Sequence, residues 1–189
     1  TTGDSNTAVG YLALTANTTG SANTAVGLSA LDANTTGGSN TAVGAGALGA
    51  HTGGNRNTAV GKNSLATSTT GADNIAIGFD ALNDLTTGHS NVAIGGYAMD
   101  ALTTGDSNVA VGHQALGVNT ANNNTALGYA ALKLNSTGTA NTAVGQNAMA
   151  TNTTGASNTA VGLNALTANT TANYGTAVGR SALGSNTTG

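Results

Sequence analysis

The stretch "SNTAVG" at residues 5–10 decides how this chain is read, because it returns as "ANTAVG" at 22–27, "SNTAVG" at 39–44, "DNIAIG" at 73–78 and "SNVAIG" at 90–95. Set in register, the 189 residues are eleven copies of T-T-G-x-x-N-[TIV]-A-[VIL]-G-x-x-A-[LM]-x-x-N. Copies begin at Thr1, Thr18, Thr35, Thr52, Thr69, Thr86, Thr103, Thr120, Ser136, Thr153 and Thr170, and a twelfth opens as Thr187-Thr188-Gly189. The eighth copy is one residue short, in the loop "TANNN" before its phrase. A fixed period is the signature of a solenoid, and about seventeen residues are too few for a helix–turn–helix unit. Inside the phrase, Thr7 and Val9 alternate with Ala8 before Gly10, which reads as a short strand bounded by turn residues. One copy is therefore one coil of a parallel β-helix, or β-roll, in an all-β fold. At about 4.8 Å between strands, eleven coils make a rod roughly 50 Å long.

Nothing interrupts the pattern, so residues 1–189 read as a single repeat domain. Its start and finish in mid-pattern expose solenoid edges that are otherwise capped, which is the expectation for a piece of a longer fibre.

Composition narrows the function. Charged residues are 6% of the chain, against roughly 25% in a soluble domain, and Pro, Cys, Trp and Glu are absent. With few large side chains, stability must come from repetition, backbone hydrogen bonds and close packing of small groups. A net charge of −3, with Arg56, Lys62, Lys133 and Arg180 as the only cations, supplies no basic footprint for nucleic acid. No apolar run reaches the length of a membrane span, and no signal peptide is visible. The absence of cysteine excludes disulfides and thiolate metal sites.

The eleven copies also serve as an internal comparison. The two positions after the phrase hold Tyr-Leu, Leu-Ser, Ala-Gly, Lys-Asn, Phe-Asp, Gly-Tyr, His-Gln, Tyr-Ala, Gln-Asn, Leu-Asn and Arg-Ser, which is a solvated surface free to drift. Two columns stay apolar and are assigned to the core of the coil. One is Val9, Val26, Val43, Val60, Ile77, Ile94, Val111, Leu127, Val144, Val161 and Val178. The other is Leu14, Leu31, Leu48, Leu65, Leu82, Met99, Leu116, Leu132, Met149, Leu166 and Leu183. The position before the Ala is Thr in eight copies and Ile75, Val92 and Val109 in three, so it too is expected to point inward.

On this phase the Ala faces water, yet it never changes: Ala8, Ala25, Ala42, Ala59, Ala76, Ala93, Ala110, Ala126, Ala143, Ala160 and Ala177. The Gly two residues on is equally constant, at Gly10, Gly27, Gly44, Gly61, Gly78, Gly95, Gly112, Gly128, Gly145, Gly162 and Gly179. Such a face implies close packing against another copy of itself around a symmetry axis. The alternative is that Gly10 only supplies a positive φ at a corner and Ala8 only fits a second strand layer of the same chain. The Asn at positions 6 and 17 of the copy are expected to stack as hydrogen-bonded ladders. Gly175 breaks the first, and His51, Ser68, Leu85 and Leu102 break the second.

The string [TIV]-A-[VIL]-G after Asn, closest at "DNIAIG" and "SNVAIG", resembles the repeat in head domains of trimeric autotransporter adhesins. "NTAVG…AL…NTTG" is similar to repeats in phage and marine-bacterial fibre proteins. The resemblance covers the whole chain. It implies a left-handed parallel β-roll, three chains to a rod, displayed outside a cell or on a virion. The period is longer than the fourteen or so usual in that family, and Asn stands where Ser is expected.

No catalytic constellation recurs. His51, His89 and His113 occupy three different repeat positions and are expected on the surface. Asp73, Asp80 and Asp84 beside Phe79 form at most an acidic patch or a weak Ca²⁺ site, since their repeat positions differ. "GAGALG" at 44–49 matches a dinucleotide-binding fingerprint only by chance, having no helix pattern after it. The acceptor patterns for N-linked sugar at Asn17, Asn34, Asn135, Asn152, Asn169 and Asn186 are more simply turn residues. An enzyme is not expected, and neither are cofactors, metals, nucleic acid or membrane insertion of this segment.

Two functions remain. The first is a structural or adhesive rod of an extracellular fibre, self-associating as a homotrimer or longer filament and spacing or displaying surfaces for a host glycan or protein. The second is an ice-binding solenoid. Against it, the Thr pairs sit beside Gly in a corner, and the strand Thr is expected to point inward with Val.

Overall fold

The computed structural model describes residues 2–187; Thr1 and the Thr188-Gly189 of the twelfth copy lie outside it. The chain is an all-β solenoid. Its strands are β1 (Thr7–Val9), β2 (Thr24–Val26), β3 (Thr41–Val43), β4 (Thr58–Val60), β5 (Ile75–Ile77), β6 (Val92–Ile94), β7 (Val109–Val111), β8 (Thr125–Leu127), β9 (Thr142–Val144), β10 (Thr159–Val161) and β11 (Thr176–Val178). They lie in chain order in one parallel sheet. Every copy pairs with the same positions of the next: Ala8 with Ala25, Ala59 with Ala76, Ala110 with Ala126. The missing residue of the eighth copy is absorbed before β8, so the strand register survives it.

Outside the strands, backbone bonds also run from coil to coil, as from Leu31 N to Ala47 O (3.1 Å) and from Thr35 N to Thr52 O (3.0 Å). At the Thr corner the side chain joins in: Thr18, Thr35 and Thr86 each donate their hydroxyl to the carbonyl one coil on, at 2.9 Å. The interior ladders of Asn fix the same spacing. Asn23, Asn40 and Asn57 each donate their backbone N–H to the Oδ1 of the Asn one coil earlier, at 2.9 Å. Asn34 and Asn152 donate Nδ2 to Asn17 and Asn135 in the second ladder. Both ladders converge. The carbonyl of Gly37 accepts from Asn23 Nδ2 at 2.8 Å and from Asn34 Nδ2 at 3.0 Å, tying two inner amides to one corner.

Closing a coil in so few residues needs left-handed backbone. Three positions in each copy have φ near +55°, for example Ser5, Leu12 and Leu14. Such a conformation costs an L-residue roughly 1–2 kcal/mol. It persists because the coil-to-coil bonds on either side overdetermine it.

The Leu/Met column is interior, with Leu31, Leu48, Leu65, Leu82, Met99, Leu116, Leu132 and Met149 fully buried. The Ala column is interior as well, which corrects the phase expected from sequence. Ala25, Ala42, Ala59, Ala76, Ala93, Ala110, Ala126, Ala143, Ala160 and Ala177 point into the coil, while Ala8 in the first coil is exposed. The ten buried ones therefore cannot form the packing face between chains. Their constancy comes from a narrow interior, already filled by Asn amides, Leu and a second Ala column at Ala30, Ala47, Ala81 and their equivalents. Sequence reasoning missed that second column, although Ser64 is its one exception.

The Gly column has an intrachain cause too. Gly10 has φ +134°, and a Cβ there would stand 2.5 Å from the carbonyl oxygen of Gly27. The same holds at Gly27, Gly44, Gly61, Gly78, Gly95, Gly112, Gly128, Gly145 and Gly162, while at Gly179 the φ alone (+125°) demands Gly. The corner reading of Gly and the single-chain reading of Ala replace the inter-chain reading of both.

The Val column is correspondingly not core. Val9, Val43, Ile77, Ile94, Leu127 and Val178 are exposed, and Val26, Val60, Val111, Val144 and Val161 are half-buried. Alternation fixes that Val and Ala point opposite ways but not which faces in. The narrow roll admits the methyl and turns the β-branched side chain out.

Substituting Ala93→Val should overpack the interior and cost about 1–3 kcal/mol in urea unfolding. A chain–chain contact at Ala93 would instead leave the stability of the isolated chain unchanged.

Candidate interaction face

Turning the strands over creates a face. The side chains at the first and third residue of each strand project outward in two parallel columns. One is Thr7, Thr24, Thr41, Thr58, Ile75, Val92, Val109, Thr125, Thr142, Thr159 and Thr176; the other runs from Val9 to Val178. Neighbours repeat about every 4.8 Å along the rod and about 6.6 Å across it. Neither column contains a charged residue. The array is held by a strand ladder on its own backbone and by the Asn ladder one residue before each strand, so its spacing is set from within.

Beside this face, the drifting positions bring four rings together on consecutive coils. Phe79 meets Tyr97 edge-on at 5.3 Å, Tyr97 meets His113 edge-on at 5.7 Å, and His113 stacks on Tyr129 at 5.8 Å. The Lys62 ammonium lies 5.9 Å from the Phe79 centroid. Gly96 makes room for the step from Phe79 to Tyr97, because the ring sits one residue later in that copy. These rings turn edges and faces mainly to one another, which makes the ridge a self-contained stack.

The acidic residues of the fifth copy separate. Asp73 pairs with exposed Arg56 through two bonds of 2.6 and 2.7 Å, and the guanidinium holds its carboxyl below the usual range. Asp80 and Asp84 instead neighbour Asp100 of the next coil. Burial first, then repulsion by Asp84 and Asp80, raises the Asp100 carboxyl. Among the described residues no three histidines or carboxylates are placed to hold a metal ion.

His89 and His113 are exposed, but His51 is wholly buried, correcting its expected place on the surface. It stands in the second Asn ladder, where Nε2 reaches the Gly54 carbonyl at 2.9 Å as an Asn amide does elsewhere. What it cannot do is continue the ladder. Asn34 Oδ1, His51 Nδ1 and Ser68 Oγ, in three successive coils, are buried without partners. Leu85 and Leu102 then fill the next two places with apolar groups, and the ladder resumes at Asn119. The same ladder disposes of four glycosylation patterns. Asn34, Asn135, Asn152 and Asn169 are fully buried with their amides donating inward, so they offer nothing to a sugar.

Burial lowers the His51 pKa from 6.5, only partly offset by bonds to the Gly54 and Ser68 backbone. A folded state that holds the imidazole neutral binds fewer protons than the unfolded chain. Its stabilising contribution is complete above about pH 6.5 and declines as the pH falls from there towards the lower folded pKa. His51→Asn restores the donor to Asn34 Oδ1. It should raise stability by about 1 kcal/mol at pH 7, and by more at pH 5, as measured by urea unfolding at both values.

No family model matches the chain, and no curated protein or solved structure matches it.

Proposed function

We propose that this chain is a structural segment of an extracellular fibre, a rod that associates with copies of itself through the outward Thr and Val columns. One observation carries the reading. The second column is exposed or half-buried, yet it is Val, Ile or Leu in all eleven copies, while the two positions after the next Gly take almost any residue. No interior contact accounts for that restriction, so a covering partner does. A partner that covers every coil must share the axial repeat, and another copy of the chain does so by construction. Three chains around one axis, a left-handed roll and display on a cell surface or virion accord with the resemblance to adhesin heads and tail fibres. In such an assembly the drifting surface, with its aromatic ridge, stays outermost, where a host glycan or protein is met.

Light scattering after size exclusion tests this directly. The expected mass is three times 17.9 kDa. Val43→Lys combined with Ile94→Lys should reduce it to a single chain with an unchanged circular dichroism spectrum, because both side chains already point outward. A wild-type chain that stays monomeric at all concentrations overturns the reading.

Ice binding is favoured by one specific feature: the strand Thr, expected inward, stands outward at Thr24, Thr41 and Thr58 in a regular array with Val26, Val43 and Val60. That reading requires a monomer with thermal hysteresis that the same Lys substitutions abolish. A fibre segment gives none.

A further inference from the structure

We infer that three consecutive coils in the middle of the outward face form a register key that aligns associating chains at the same height. The inference rests on the self-association proposed above and adds which part of the face decides alignment.

A face built from near-identical coils has a register problem. Sliding one chain by a single coil, about 4.8 Å, presents each coil with a neighbour almost like the one it left. Only departures from uniformity can choose the register. The first four and last four copies present one Thr and one aliphatic side chain each. The fifth, sixth and seventh present two aliphatics: Ile75 with Ile77, Val92 with Ile94, and Val109 with Val111. At equal height, block meets block and apolar surface covers apolar surface. A slip of one coil sets a Thr hydroxyl against an aliphatic group at each end of the block, with water excluded and no hydrogen-bond partner supplied.

A second copy fits this face by size and charge. Three residues of strand across and eleven coils along give a strip about 10 by 50 Å. That is about 500 Å² per chain, or about 1,000 Å² for a pair, where specific interfaces begin. Because neither column carries charge, identical faces meet at equal height without repulsion.

The test uses the absence of cysteine from the chain, which allows single-site nitroxide labelling. One preparation carries Leu28→Cys and another Gln146→Cys, both on the exposed drifting surface and seven coils apart. The two are mixed, unfolded and refolded together. Pulsed electron paramagnetic resonance then reads the distance between labels on different chains, which has an axial component of about 34 Å. Equal heights give one narrow peak for that pair. In the background Ile75→Thr, Val92→Thr, Val109→Thr, where Thr is the residue already used in eight copies, the peak should split into components about 4.8 Å apart. Circular dichroism confirms that the variant folds, and light scattering confirms that it still associates. Several components in the wild type, or one narrow peak in both backgrounds, overturns the key while leaving association intact. A monomeric wild type overturns the association reading, and the key falls with it.

Discussion

The structure depends on the meeting of two asparagine amides at one corner carbonyl in every coil. Asn40 and its equivalents reach that oxygen from the residue before the strand, and Asn34-type side chains reach it from the end of the return path. Both must lie inside the roll, and an amide spans only a few ångströms. The roll is therefore narrow, and narrowness dictates what else enters: two methyls, one Leu or Met, and a Gly corner whose Cβ would strike the next coil. β-Branched side chains are left for the outside. The face that carries the proposed function is thus a by-product of the way the interior is hydrogen-bonded.

Each coil touches only its neighbours, so defects stay local. The run from His51 to Leu102 shows two ways to interrupt a buried polar ladder. His51 and Ser68 keep polar atoms and leave some of them unpaired. Leu85 and Leu102 remove both sides of the interaction and bury only carbon. Leaving a buried group unpaired costs about 1–3 kcal/mol, whereas replacing both partners by apolar groups is close to neutral. The junction between Asn34 and Ser68 is therefore the weak point of the rod, and the leucine pair is not.

The period, the parallel strands, the Leu column and both Asn ladders were legible in the sequence because each rests on repetition or on a chemistry with one good use. The phase of the strand was not. Thr7, Ala8 and Val9 alternate whichever way the strand is turned, and ranking them by hydrophobicity puts Val inside. The deciding quantity is the width of the roll, which depends on Asn17 and Asn6 reaching across it, and no window of sequence contains both that reach and the strand. His51 was misplaced for a related reason. A single histidine looks like surface until its position is known to be a rung of an interior ladder.

Comparing the copies of one chain separates constraint from drift, but it does not say where a constraint comes from. Constancy at Ala and Gly suggested a partner, and the interior accounts for it completely. Removing that explanation sharpens the case for the Val column, whose side chains stand outward and still never become polar or charged. A surface exposed to water alone drifts, as the positions beside it did. The three copies that lose their Thr lose it to Ile or Val, never to the Asn, Ser or Asp that populate the neighbouring surface. A substitution pattern that moves only towards greater apolarity is the record of a face kept out of water.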